Sequence, residues 1–428
     1  MHPLFKRPVA LVLFVILVFV LTVRGVLPAL SKVDTDFPNY FTAAKIVADG
    51  GNTDRLYDIT WFQEQMRLYQ IGKPSEGKFQ PFPPPTALLL VPLARLTPLD
   101  ALRVATGVSV LCLICSIILL AKILSWSFVD SAVLVLLCGF AELNALRLGQ
   151  PYILVSLSCI LGYYAYLRGR PSLAGMCFGL LTPLKYFPVV ILVYFALRKE
   201  WRVLLGGVSA ILIVMLVSIG VLGWKIHEKF LSSVLGNHLV AKLDMQDAFA
   251  ASFQSFDSLF RRLFVFDATL NPQPVLALTR LQGIAVLVTK VSILFVAIAT
   301  LIKLARSDPA GAAAPSIGIL GILTLLLAPA TATYHFVLLW LPVGLLINYF
   351  FRWRANALAY FVLGTYTLIG FFPYRFTRPF EGRGWLTVLA YPRLLLLLAM
   401  FVVCVYYILS RAEMAAEART VDSPAIVK

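Results

Sequence analysis

Apolar runs of about 20 residues recur along the whole chain, a length that carries a helix across a hydrocarbon core of about 30 Å. They read at 8–30, 99–122, 128–147, 150–167, 202–223, 280–302, 314–330, 333–351, 355–372 and 387–410. Short links between them carry Lys122, Arg168, Arg170, Arg198, Lys199, Arg202, Lys303, Arg306, Arg352, Arg354 and Arg411. The positive-inside rule assigns these links to the cytoplasmic side. Lys6 and Arg7 hold the start of the first run there too. No small-residue cleavage motif follows that run, so it is expected to remain as an uncleaved anchor.

Ser172–Leu197 departs from the pattern. It is long for one span and has arginines at both ends, and Thr182-Pro183-Leu184-Lys185-Tyr186-Phe187-Pro188 interrupts its middle. Prolines at that spacing break a straight helix. Two half-helices in a hairpin keep both flanks on one side and put Lys185 at the tip, toward the outer side. Counting the hairpin twice predicts an all-α integral membrane protein of about 12 crossings. One polytopic domain covers 1–428, with outer loops at about 31–84, 224–279 and 373–386. The first loop predicts helical fragments at Tyr40–Ala48 and Ile59–Tyr69. Pro81-Phe82-Pro83-Pro84-Pro85 then predicts an extended, helix-free re-entry. Thr86–Leu96 is too short to span and is expected at the interface.

Composition supports lipid as the solvent. The chain is 60% hydrophobic and 14% charged, against about 25% charged in soluble domains. The formal net charge of +16 suggests nucleic acid in a soluble protein, but here the cytoplasmic links account for much of it, and no nucleic-acid partner is expected. All six cysteines lie within apolar runs. Cys112 and Cys115 form a CxxC with no second pair or histidine cluster, so neither a disulfide framework nor a metal site is implied.

The candidate chemistry is sparse. Asp34 and Asp36 follow the first run directly, and a carboxylate at a membrane exit can accept a proton from a hydroxyl nucleophile. Lys185 is an ionisable group deep in the protein, a functional candidate by position and a suitable point charge for phosphate. Arg261, Arg262, Arg375, Arg378 and Arg383 gather on outer loops, where they suit an anionic headgroup. His335 sits at a tight turn between two spans, placed to donate a hydrogen bond or shuttle a proton. Glu142, Asn144, Arg147 and Gln150 cluster at another outer turn, with Glu142 and Arg147 read as an ion pair. Lys290 lies mid-span and is expected to line a cavity. Apart from Lys290, every charged candidate falls on the outer side, which predicts an extracytoplasmic site.

The order of several short motifs resembles glycosyltransferase family 87. Asp36-Phe-x-x-Tyr40, Leu56-Tyr57-Asp58, Phe82-Pro-Pro-Pro85 and Pro92-Leu93 are similar to that family's opening. Gly149-Gln150, Arg168-Gly-Arg170, Ala174-Gly175, Gly179-Leu180, Lys185, Pro188 and Arg198-Lys-x-Trp201-Arg202 follow in the expected order. Ser255-x-x-Ser258-Leu259 resembles its Asn-Gln-Ser-Leu element, with Phe253 where the family has asparagine. Pro329 to His335 resembles its Ser-Pro-x-x-x-His turn. The resemblance implies a GT-C-like bundle with extracytoplasmic loop helices, in a bacterial cytoplasmic membrane. It implies transfer of a hexose, mannose foremost, from a polyprenyl-phosphate donor to a lipid or glycan acceptor, with inversion and no cofactor. Residue by residue, it makes Asp36 the general base. Lys185, with Arg261, Arg262, Arg375 and Arg378, would hold the donor phosphate. His335, Tyr40, Gln150 and Ser255 would line the substrate. The competing expectation is a transporter or flippase for a lipid-linked or anionic substrate.

Overall fold

The computed structural model describes residues 4–33, 36–239, 247–308 and 311–421. Among them all regular elements are helical, with one isolated bridge between Asp267 and Asn271. Six helices are long and apolar enough to cross a membrane, and two bent pairs raise that to eight if each is one span. The protein is multi-pass, but length and apolarity do not reach the expected twelve. The shortfall has local causes. The 128–147 run bends by 76° between Leu136 and Phe140, where Gly139 takes a φ of +58°. The 150–167 run is helical only from Tyr152, because Gln150 and Pro151 belong to the preceding turn.

The chain divides into two compact units, Met1–Ala248 with Thr333–Leu338, and Phe249–Ala332 with Leu339–Lys428. The first begins with α1 (Arg7–Ser31), α2 (Phe37–Ala48) and α3 (Ile59–Leu68). There follow α4 (Pro98–Leu124), α5 (Phe128–Leu136), α6 (Phe140–Arg147) and α7 (Tyr152–Leu167). Then come α8 (Pro171–Leu180), α9 (Val189–Leu197), α10 (Trp201–Leu222), α11 (Trp224–Lys229) and α12 (Leu235–Leu239). Several start where a side chain replaces a missing backbone acceptor. Asp58 accepts from Trp61 N, Thr97 from Asp100 N and Ser127 from Asp130 N, each cap contributing about 1 kcal/mol.

The break expected around Pro183 is present, with α8 ending at Leu180, α9 starting at Val189, and Lys185 in the turn between. Helix α8 is fixed by its glycines. A Cβ on Gly175 would overlap the carbonyl of Val203, one on Gly179 the carbonyl of Gly207, and one on Gly206 the carbonyl of Ser172. Helices α8 and α10 therefore meet backbone to backbone, as small-residue helix pairs do in membranes. The proline stretch differs from its expectation. Pro83 is extended (φ −62°, ψ 152°), but Pro84–Leu88 and Val91–Leu93 form 3₁₀ turns. Prolines at the first positions of a helical turn lack only N–H groups that the turn leaves unused. Tyr57 Oη donates to Phe82 O at 2.7 Å, which ties this stretch to the loop core of Tyr57, Phe62 and Phe79.

The second unit holds α13 (Phe256–Phe264), α14 (Thr279–Ser307), α15 (Ala313–Leu327), α16 (Trp340–Arg352), α17 (Asn356–Phe371) and α18 (Pro392–Val421). Gly321 admits the ring of Pro342, so α15 and α16 also pack closely. Buried Arg393 donates to Ile369 O at 2.8 Å and Phe372 O at 3.0 Å. It thereby satisfies carbonyls at the end of α17 that have no helical partner. Lys290, expected to line a cavity, has a partner that the sequence did not reveal. On α14 it forms an ion pair with buried Asp257 of α13. Removing one partner of a buried pair leaves the other charge uncompensated, a loss of about 3 kcal/mol. Lys290→Ala is therefore expected to lower the melting temperature of the detergent-solubilised protein clearly. The Lys290→Met, Asp257→Leu pair should recover most of that loss, and thermal denaturation of both variants checks this.

Candidate active site

The site grows from the turn after α6. Gly149, at φ +61°, lets its own N–H reach Leu146 O and that of Gln150 reach Ala145 O at 2.8 Å. This left-handed stop satisfies helix-end carbonyls. A Cβ on Gly149 would come within 2.5 Å of Phe37 Cδ2, so the turn sits directly on the first residue of α2. Gln150 is thereby buried, at 1% exposure, and aimed at the start of α2.

Asp36 immediately precedes α2. Its side chain does not cap the helix, and its carboxylate Oδ2 instead accepts from Gln150 Nε2 at 2.7 Å. The other end of the same amide, Oε1, accepts from Tyr40 Oη at 2.8 Å. Tyr40 Oη in turn accepts from Lys185 Nζ at 3.1 Å. The result is a directional chain, Lys185 to Tyr40 to Gln150 to Asp36, in which every donor points toward the carboxylate. Such chains polarise one another in a low-dielectric interior. Asp34 lies outside the described residues.

Aromatic rings enclose the lysine. Its Nζ lies 4.6 Å from the Phe82 ring centre and 5.1 Å from that of Tyr152, and Phe82 stacks on Tyr40 at 4.4 Å. Lys185 is 7% exposed. Burial pushes its ammonium down to about 7, against the opposing pull of Asp36. Tyr40 is the single hydrogen-bond partner of Nζ among the described residues, so this three-donor group has capacity for an incoming acceptor. His335 also packs on Tyr152, rings 4.6 Å apart, and lies 5.3 Å from Phe187.

Asp36, Tyr40, Gln150, Lys185 and His335 all belong to the first unit, and a web of hydrogen bonds and ring contacts joins them. The other expected site residues belong to the second unit, where several have structural partners. Ser255 Oγ caps α13 and donates to Pro329 O at 2.8 Å, which explains its motif without a substrate. Arg262 is buried and donates to Phe249 O, Leu270 O and Glu381. Those three acceptors occupy three of its five guanidinium N–H groups. Arg261 is half-buried and feels the charge of Asp257. Arg375 and Arg378 are exposed, and Arg375 lies over Phe376.

Sequence reasoning passed over three neighbours of the site. Tyr152 follows Gln150 by two residues and its ring packs near both Lys185 and His335. Tyr334 stacks on Tyr152 at 5.3 Å. Lys78 is held by its backbone N–H to Asn39 Oδ1 at 3.0 Å. Burial lowers its ammonium while Asp36 raises it. The available signal was spacing, since Tyr152 and Tyr334 adjoin motif residues, and Lys78 carried none.

A half-buried carboxylate and a buried amine joined by one hydrogen-bond chain, in a multi-pass helical membrane protein, define an enzyme-like site. The family model described as glycosyltransferase family 87 matches residues 79–329, more than half of the chain. The protein belongs to glycosyltransferase family 87 and is a glycosyltransferase. No curated protein matches it. Family membership decides against the transporter or flippase. Gln150→Leu removes both amide ends of the chain while filling similar volume. It is expected to lower transfer by about 10- to 100-fold, as for a lost charge-assisted hydrogen bond, with little change in expression, and rate measurements on purified protein check it.

Proposed function

We propose that this glycosyltransferase moves a hexose, mannose foremost, from a polyprenyl-phosphate donor to a hydroxyl of a lipid or glycan acceptor on the extracytoplasmic face of a bacterial cytoplasmic membrane. The observation that carries the reading is the chain from Lys185 to Asp36. It links a cation and a carboxylate through one hydrogen-bond chain, a pairing that suits a sugar phosphate and its acceptor. Asp36 takes the proton of the acceptor hydroxyl. The acceptor oxygen attacks the anomeric carbon as the bond to the phosphate oxygen breaks. Attack from the face opposite the phosphate inverts that carbon. Lys185 meets the charge that collects on the phosphate, and His335 lies beside the sugar or phosphate. A phosphate leaving group departs as an anion, so the site needs no strong general acid. Nucleotide sugars are absent outside the cytoplasm, which favours a lipid-phosphate donor. Of the outer arginines, the exposed Arg375 and Arg378 suit long-range attraction of an anionic headgroup better than Arg262.

The test is transfer by purified protein in lipid nanodiscs, supplied with polyprenyl-phosphate mannose and candidate acceptors. Asp36→Asn should lower the rate by about 10²- to 10⁴-fold while donor affinity stays within a few-fold. Full activity in that variant would remove Asp36 as the base.

Donor affinity should also follow the lysine's protonation. In the free site Lys185 loses its proton near pH 7. A bound phosphate raises that value, so between the free and bound values binding takes up a proton and weakens as pH rises, by up to about tenfold per unit. Titrating Kd from pH 6 to 9 checks this, and Lys185→Ala should flatten the curve and weaken binding throughout.

A further inference from the structure

The turn that carries Lys185 makes a second polar contact, away from the chain to Asp36. Tyr186 Oη lies 2.9 Å from Nε2 of His238, which brings α12 onto the turn. His238 is 9% exposed, and its other ring nitrogen, Nδ1, has no hydrogen-bond partner among the described residues. Tyr186 stacks on Phe187 at 5.0 Å, and Phe187 lies 5.3 Å from His335. His238 thus meets the Tyr186 ring and His335 the Phe187 ring, both near enough to Lys185 to feel its charge, and Asp36 is the carboxylate whose charge reaches Lys185. Burial, reinforced by the Lys185 charge, pushes the His238 imidazole down to about 4, so it is neutral at physiological pH. A neutral imidazole has one N–H, and the partner of one nitrogen decides which nitrogen carries it.

We propose that His238 is a further ligand of the leaving phosphate. Tyr186 donates to Nε2, which keeps the proton on Nδ1, and Nδ1–H donates to a phosphate oxygen beside Lys185. The inference rests on the polyprenyl-phosphate reading of this site. As the bond from the anomeric carbon to the phosphate oxygen breaks, its electron pair stays on that oxygen. The phosphate passes from a singly charged diester to a doubly charged monoester. A donor aimed at that oxygen therefore holds the product and the transition state more tightly than the bound donor.

The experiment is binding of polyprenyl phosphate, alongside transfer kinetics, for full-length wild type, His238→Asn, His238→Gln and Tyr186→Phe in nanodiscs. An asparagine amide nitrogen stands where Nδ1–H does, whereas a glutamine amide reaches the Nε2 position. His238→Asn is expected to keep polyprenyl-phosphate affinity within about threefold. His238→Gln should lose about tenfold or more, the scale of a charge-assisted hydrogen bond. It should lower kcat more than it raises the donor KM. Tyr186→Phe, which frees the tautomer, should fall between them. Glutamine outperforming asparagine would mean that the contact with Tyr186 is all that His238 provides, and would overturn the proposal, as would wild-type affinity in both variants. Wild-type protein that binds polyprenyl phosphate in this order but transfers no sugar from any polyprenyl-phosphate donor would sink the proposed reaction and leave the phosphate ligand standing.

Discussion

The interaction on which the first unit's chemistry depends is the one amide of Gln150. Its nitrogen holds the Asp36 carboxylate and its oxygen holds the Tyr40 hydroxyl, and through that hydroxyl it reaches Lys185. A carboxylate accepts only, an ammonium donates only, and a primary amide does both. Glutamine is thus a neutral adaptor between two charges that would otherwise close into a contact ion pair. Had Asp36 and Lys185 paired directly, each would have neutralised the other, and the roles proposed for them would compete for one contact.

Much of this was legible in the sequence because the membrane simplifies the problem. Where lipid is the solvent, apolar length predicts a helix and basic links predict its direction, so the all-helical architecture follows from pattern alone. The break at Lys185 was readable because Pro183 and Pro188 bracket it. Asp36, Tyr40, Gln150 and Lys185 were each singled out on sequence, through position or motif order. Their connection was not, because Asp36 and Gln150 lie 114 residues apart, and no spacing rule links a membrane exit to a helix end so far along the chain.

What the sequence hid has a common physical form. Asp257 as the partner of Lys290, Ser255 as a cap and Arg262 as a clamp on backbone carbonyls are all polar groups satisfied by tertiary neighbours. A motif marks such a residue without saying whether substrate or backbone is its partner. The helices long and apolar enough to span number fewer than the apolar runs for a different reason. Hydropathy averages over a window, whereas Gly139 and the Gln150–Pro151 turn interrupt helices within a residue or two. The proline stretch shows the same local control, for its residues begin 3₁₀ turns rather than prevent them.

The glycine contact between α8 and α10 has an evolutionary consequence. Gly206 and Gly207 read as unremarkable filler in an apolar span, far in sequence from any motif. Yet Gly206 sets how closely α8 can approach and Gly207 leaves room for Leu192 of α9, and these two helices flank the turn that bears Lys185. Drift at these two positions is therefore coupled to Gly175 and Gly179, and a bulkier residue on one helix calls for retreat of the other. Lineages that changed one side alone would shift the lysine. These four positions should therefore diverge as a linked set.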